Sequence, residues 1–256
     1  MRLAFAAALA VLAALHQPHA AELSIEQVRQ ALQQASRHSP ADLRGKDLSD
    51  LDLSRLDFRL ATLRGANLFG SRLVECDFRG ADLEGANLNG AWLMGADFSG
   101  ANLARASLLS VVVLGGEVRK MPRFHGTNLR GVRMIADLPG ADLAGADLAG
   151  ASIGVNIKNQ GMGQMRTDLT SANLSGANLA GADVNRSLLS FANLRGSDLR
   201  GTNLFRAKLS GADLTGADVT GANFTEADLE GAVLRDVKGL GEATGLNRAL
   251  ADKPGR

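Results

Sequence analysis

Apolar residues recur at every fifth position along most of this chain. One run of centres goes from Leu43 through Leu48, Leu53, Phe58 and Leu63 to Leu108, and a second goes from Leu169 to Leu234. Shorter runs lie between them at Phe124, Leu129 and Met134, and at Leu138, Leu143, Leu148 and Ile153, which makes thirty-five clear units; Val113 and Val118 fit as two degenerate ones. The pattern is plainest in residues 81–100, which read ADLEG, ANLNG, AWLMG, ADFSG. A period of five matches neither the 3.6 of a helix nor the 2.0 of a strand. A unit this short cannot bury its own leucine, so the units must stack into one continuous core, as in a solenoid. Phe58, Phe78 and Phe98 recur every twenty residues, as do Asn67 and Asn87. Like residues therefore stack after four units, which predicts a four-sided turn.

With units of the form A-(D/N)-(L/F)-x-G over about residues 41–240, the chain resembles the pentapeptide-repeat family. The resemblance implies an all-β fold, a right-handed quadrilateral β-helix. In it the centre and the small residue two before it point inward, while the other three positions face water. Leu43, Leu48, Phe58, Phe78, Leu88, Phe98, Leu174, Leu194, Leu204 and Phe224 are then core. The residue types suit those places. Alanine is small enough to share a narrow lumen with leucine, Asp or Asn can hydrogen-bond at the bend, and glycine turns the corner without steric cost. Coils ~4.8 Å apart make about nine coils a rod on the order of 43 Å long. Each buried leucine contributes very roughly 1.5–3 kcal/mol, enough in sum to offset the ordering entropy.

The flanks differ from the repeats. Residues 1–21 hold Arg2, an apolar run from Leu3 to Leu15 and a short polar stretch before Ala20-Ala21, the layout of a secretory signal peptide. The run is too short for the ~20 residues that span a bilayer, so no stable membrane insertion is expected after cleavage. Residues 22–40 predict a capping helix: Ser24 with Gln27 makes a capping box, Leu23 staples to Val28, and Ile25, Val28, Leu32 and Ala35 share a face. Such a helix is a lid on the first coil, with partner docking as the other reading. Residues 241–256 form a tail that closes the last coil. Two irregular segments interrupt the repeats, residues 111–137 and 154–168.

Charge and chemistry narrow the function classes. Without Arg2 the chain has 27 basic and 27 acidic residues, so neither nucleic-acid binding nor an acidic mimic of nucleic acid is expected. Cys76, the only cysteine, falls at an inward position and can make no disulfide within the chain. His125 has no second ligand beside it, so no metal site is predicted, nor any cofactor. The aspartates are bend residues, and a convex rod offers no cleft in which acids and bases converge; the expectation is that the protein is not an enzyme. Thr215, Thr220 and Thr225 fall on three successive sides, which argues against an ice-binding file.

Two surface features exceed what repetition requires. Val74, Trp92, Met94, Val112 and Leu114 are outward on the side of Leu53, Leu73 and Leu93, with Phe69 and Leu109 on the adjoining side. An apolar patch of this kind meets either another molecule or a returning loop of the same chain. Arg119, Lys120, Arg123, Arg130 and Arg133 form an acid-free basic stretch, an anion contact or a solvated face. The Gly-rich stretch 154–168 reads as an extruded loop, resembling in placement only the projecting loops of gyrase-protecting family members. These readings describe an exported, periplasmic or secreted scaffold whose partner is another protein, with a homodimer left open. The alternatives are a DNA-mimicking topoisomerase (gyrase) protector, as the resemblance suggests, and a spacer with no specific partner.

Overall fold

The computed structural model describes residues 22–113, 120–155 and 166–246; the segment expected to be a signal peptide lies outside them. Among the described residues no helix is long and apolar enough to cross a membrane. Helix α1, Ile25–Gln34, starts as the sequence predicts. Ser24 accepts from the Gln27 amide, and the Gln27 side chain accepts from the Ser24 amide at 2.7 Å. It is shorter than the predicted stretch, because Ala35 already adopts an extended conformation and residues 36–39 close a tight turn. Val28 is fully buried in the main core, and Leu23, Ile25, Leu32 and Ala35 pack against that core.

Beyond α1 the chain is a β-helical solenoid. Strands β1 (Ala41–Asp42) and β2 (Ala61–Thr62) pair in parallel, as do β3 (Ser107–Val111) and β4 (Arg133–Ala136). Within the regular runs single parallel bridges join residues twenty apart, such as Asp47 with Asn67 and Asn67 with Asn87. The backbone is satisfied between coils: Leu48 N–H donates to Asn67 O at 2.8 Å, and Asn87 N–H donates back to Ala66 O at 2.9 Å. The bend residues form ladders of their own, with Asn87 Nδ2 donating to Asn67 Oδ1 and Asn67 Nδ2 to Asp47 Oδ1, both at 2.9 Å.

The unit's last residue sits at φ near +60°, which is why glycine is common there. Among the described residues, eleven non-glycine ones, Arg55 and Phe191 among them, nevertheless adopt the same left-handed conformation. Coil closure is therefore strong enough to override a local cost of ~1–2 kcal/mol at each of them.

All ten core positions named from the sequence are at most 1% exposed. The rings of Phe58, Phe78, Phe98 and Phe124 stack at centroid distances of 4.7, 4.8 and 5.3 Å. Where Ala is replaced by Ser, Thr or Cys at the inward small position, the polar atom finds a carbonyl: Ser71 Oγ donates to Leu48 O, Cys76 Sγ to Leu53 O and Thr202 Oγ1 to Leu179 O. Thr202→Val should lower stability by about 1 kcal/mol and Thr202→Ser by less than half of that, read from urea denaturation, because only the first removes the donor.

The irregular segments add or remove residues while the ladder continues on either side of them. Gly95 N–H donates to Lys120 O at 2.7 Å, and Asp97 pairs with Arg123, so six residues are added after Val113. Phe124, rather than Val118, therefore follows Val113 as the next centre; Val118 itself lies outside the described residues. One residue is missing between Met134 and Leu138, and eleven extra ones separate Ile153 from Leu169, where Asp137 pairs directly with Asp168. At the C-terminal end the ladder reaches Thr244, past the expected limit at 240, and Leu246 enters the core.

Candidate functional site

The apolar patch is only partly presented. Val74 and Met94 are 7% and 3% exposed, which corrects their reading as surface residues. Phe69 stands 50% exposed, and Trp92, Leu109 and Val112 are half-buried. Trp92 and Val112 are direct neighbours on the ladder, and the Arg72 guanidinium lies 4.9 Å from the Trp92 ring centre, covering part of its face. Leu114 lies outside the described residues.

The basic stretch does not form one patch. Arg123 meets Asp97 at 3.3 Å and Arg130 meets Asp147 at 3.1 Å, each partner coming from a neighbouring coil that is distant in sequence. His125 lies 3.7 Å from Asp142. The ladder also sends Arg123, Arg130 and Arg133 to three successive sides of the coil, so they share no face. Lys120 is exposed, and Arg119 lies outside the described residues. A period-five chain turns a local charge cluster into a ring, which the linear count missed.

Reading the outward positions file by file finds what a window along the sequence passes over. Ile135, Leu188 and Phe205 continue the apolar character of the same two sides toward the C-terminus, and all three are half-buried. Phe205 is flanked by Arg206 at 4.9 Å and Arg186 at 6.0 Å. Ile135 follows the centre Met134 and so reads as outward, but only the six residues added after Val113 put it in the file of Phe69 and Leu109. One groove, about 480 Å³, lies between α1 and the first coil, with Leu32, Leu56 and Leu60 beside Arg29 and Arg55. Another, of about 270 Å³, opens beside Phe205.

The acids are held as hydrogen-bond acceptors. Asp213 is kept down to about 2 by the Thr215 hydroxyl and amide and then by Arg195. Burial pushes the Cys76 thiol up to about 12, which makes it inert. Among the described residues no group of three or more His, Cys, Asp or Glu converges as a metal site. Asp137 is the exception among the acids. Its carboxyl is raised by burial and then by Asp168, which stacks on it from the next coil. The residue two on is Pro139, which lacks the N–H that bends such as Asp168–Thr170 supply at 2.8 Å.

Since a raised carboxyl pKa favours the protonated fold, its stabilising share is present in acid and lost as pH rises through that raised value. Asp168→Asn imitates the ladder elsewhere, in which Asn178 donates to Asp147 at 3.0 Å. Because Asp137 is exposed, the substitution should add at most about 0.5 kcal/mol at pH 7, and the gain should vanish in acid as Asp137 protonates, checked by thermal melts across pH.

Comparisons with known proteins agree with this architecture. The family model "Pentapeptide repeats" matches residues 41–70, 61–100, 71–108, 167–204 and 203–238. Similar solved structures include HetL, a pentapeptide repeat protein involved in heterocyst differentiation regulation in the cyanobacterium Nostoc; it is 29% identical, with 85% of this chain and 95% of that one covered and a TM-score of 0.46. A pentapeptide repeat protein of the Arabidopsis thaliana thylakoid lumen is 37% identical, covering 43% of this chain and 66% of that one, with a TM-score of 0.26. QnrB1, a plasmid-mediated fluoroquinolone resistance protein, is 22% identical, covering 82% and 92%, with a TM-score of 0.35. No curated protein matches the chain. The repeat ladder and the family match over more than half the residues together establish that this chain belongs to the pentapeptide-repeat family.

Proposed function

We propose that the protein is an exported, non-enzymatic interaction scaffold, a right-handed quadrilateral β-helix of about nine coils closed at its N-terminal end by α1. The observation that carries this reading is the asymmetry of the surface. The half-buried Trp92, Val112 and Leu109 and the exposed Phe69 gather on two adjoining sides, beside ion pairs such as Arg72–Asp52 and Lys208–Asp228, whereas elsewhere exposed apolar residues stand singly, as at Phe191 and Val233, among Arg–Asp pairs such as Arg59–Asp57 and Arg195–Asp213. Apolar contact area concentrated on one edge of a rigid rod suits a protein partner better than a small substrate. Residues 1–21 supply the export signal, and periplasmic or secreted placement follows from its cleavage.

Two measurements test the reading. Full-length protein produced in a Gram-negative cell should fractionate with the periplasm and begin near residue 21 or 22 by mass spectrometry. An unprocessed cytoplasmic product overturns the export reading and favours topoisomerase protection. Binding of an apolar dye should fall in Trp92→Glu combined with Val112→Glu while the β-rich spectrum persists; an unchanged dye response ends the claim for this surface.

A further inference from the structure

The outward residues that follow the centres Leu48, Leu68, Leu88 and their successors form one continuous file along the rod. Each carbonyl in it is held by the preceding coil: Asp50 N–H donates to Phe69 O at 2.9 Å, Gly70 N–H to Asn89 O at 3.0 Å and Gly90 N–H to Leu109 O at 2.9 Å. Leu109 pairs with Ile135 across β3 and β4. Farther on, Val155 donates to Asn185 O, Arg186 to Phe205 O and Arg206 to Thr225 O.

The order of side chains in this file is nearly the same from both ends. From the N-terminal end it opens Ser49, Phe69, Asn89; from the C-terminal end it opens Thr225, Phe205, Asn185. Leu109 and Gly154 come next on either hand, and Ile135 stands in the middle. The file contains no charged residue. Its counterparts on two other sides carry Arg44, Arg64 and Arg130, and Arg59, Arg79 and Arg195.

We propose that this side of the rod is a self-association face on which a second copy of the chain docks antiparallel, with the two-fold axis crossing the rods at Ile135. In an isologous interface residue i meets j while j meets i, and the order of this file adds that like meets like at three of the four pairs about the axis, Ser49 (8% exposed) with Thr225, Phe69 with Phe205 and Asn89 with Asn185. The axis sets Phe69 on the other copy's Phe205, brings the side chains of Asn89 and Asn185 together, and places Leu109 opposite the Asn185 side chain that covers the buried Gly154.

Shape supports the antiparallel sense. Phe69 projects, at 50% exposed, whereas Phe205 lies half-buried beside a hollow of about 270 Å³ lined by Val155, Asn185, Asn203 and Asn223. Projection meets hollow only when the rods run in opposite directions; parallel rods set Phe69 against Phe69 and hollow against hollow. Arg186 and Arg206 already border the Phe205 ring and offer cations to an incoming one. Exposed Arg133 approaches its own counterpart near the axis, so association should strengthen as salt screens that repulsion.

The inference rests on the scaffold reading and shares Phe69 and Leu109 with it, but the dye test reads Trp92 and Val112 on the adjoining side, so the two can fail separately. Engineered cysteines in the purified protein test it, because buried Cys76 stays unreactive. Under mild oxidation Ile135→Cys should bridge to its own counterpart, at a rate at least about tenfold above Ala149→Cys on another side, given the high effective concentration at the axis. Phe69→Cys alone and Phe205→Cys alone should remain uncrosslinked, while the double variant should give covalent dimers. Sedimentation of the unmodified protein should show a concentration-dependent monomer–dimer equilibrium. A monomer at every concentration, or Phe69→Cys crosslinking to itself while Ile135→Cys does not, overturns the proposal.

Discussion

Phe78→Ala should destabilise the protein by about 3–5 kcal/mol in urea denaturation, with Phe78→Leu costing below about 1.5 kcal/mol. The ring lies between those of Phe58 and Phe98, at 4.7 and 4.8 Å and within 10° of coplanarity with both. The hole left by alanine cannot close by collapse, since the coil spacing is set by backbone bonds, with Phe58 N–H to Asp77 O and Phe78 N–H to Asp97 O both at 2.8 Å. Leucine, the usual occupant of a centre, keeps most of the volume and loses mainly the stacking. Phe224→Ala should cost less than Phe78→Ala, because Phe224 takes no part in the phenylalanine stack and lies near the C-terminal end, where neighbours can relax. Equal losses at the two sites would show that the stack adds nothing beyond burial.

Gly245→Ala should cost about 2–4 kcal/mol, against about 1 kcal/mol for Gly221→Ala, combining left-handed strain with overpacking. Both glycines have positive φ, +81° and +69°, so the torsional part is common to them. They differ in what a methyl group meets: at Gly221 only the Gly201 amide nitrogen at 4.0 Å, at Gly245 the Thr225 backbone nitrogen at 2.4 Å. That backbone cannot yield, since Thr225 O accepts from Arg206 and Phe224 N–H donates to Thr244 O at 2.8 Å. The turn at Gly245 also delivers Leu246 into the core at the exposed end of the stack, where Leu234 and Val237 are only half-buried. Hydrogen exchange at the Phe224 amide should accelerate in Gly245→Ala and stay slow in Gly221→Ala. The same rate in both would mean that the last coil does not depend on this turn.

Different residues were legible from the sequence to different depths. The stacking of Phe58, Phe78 and Phe98, the Asn67–Asn87 ladder and the Ser24–Gln27 capping box depend on identity at a fixed spacing, and the coordinates place all three as that spacing implies. The exposure of Val74 and Met94 and the isolation of the basic stretch did not follow from spacing. Burial of an outward position and pairing of a charge depend on residues twenty or more places away, as Arg130 shows with Asp147.

By itself the sequence determined the repeat, the inward set and the bends, because a unit of five with one apolar centre buries that centre in only one way. Tertiary structure alone decided which outward side chains share a face. Six added residues, one missing and eleven added shift every later unit against the earlier ones, and only the hydrogen bonds between coils show where each lands. Those shifts bring Phe69, Ile135 and Phe205 into one file, a relation that a fixed count of twenty places would have lost.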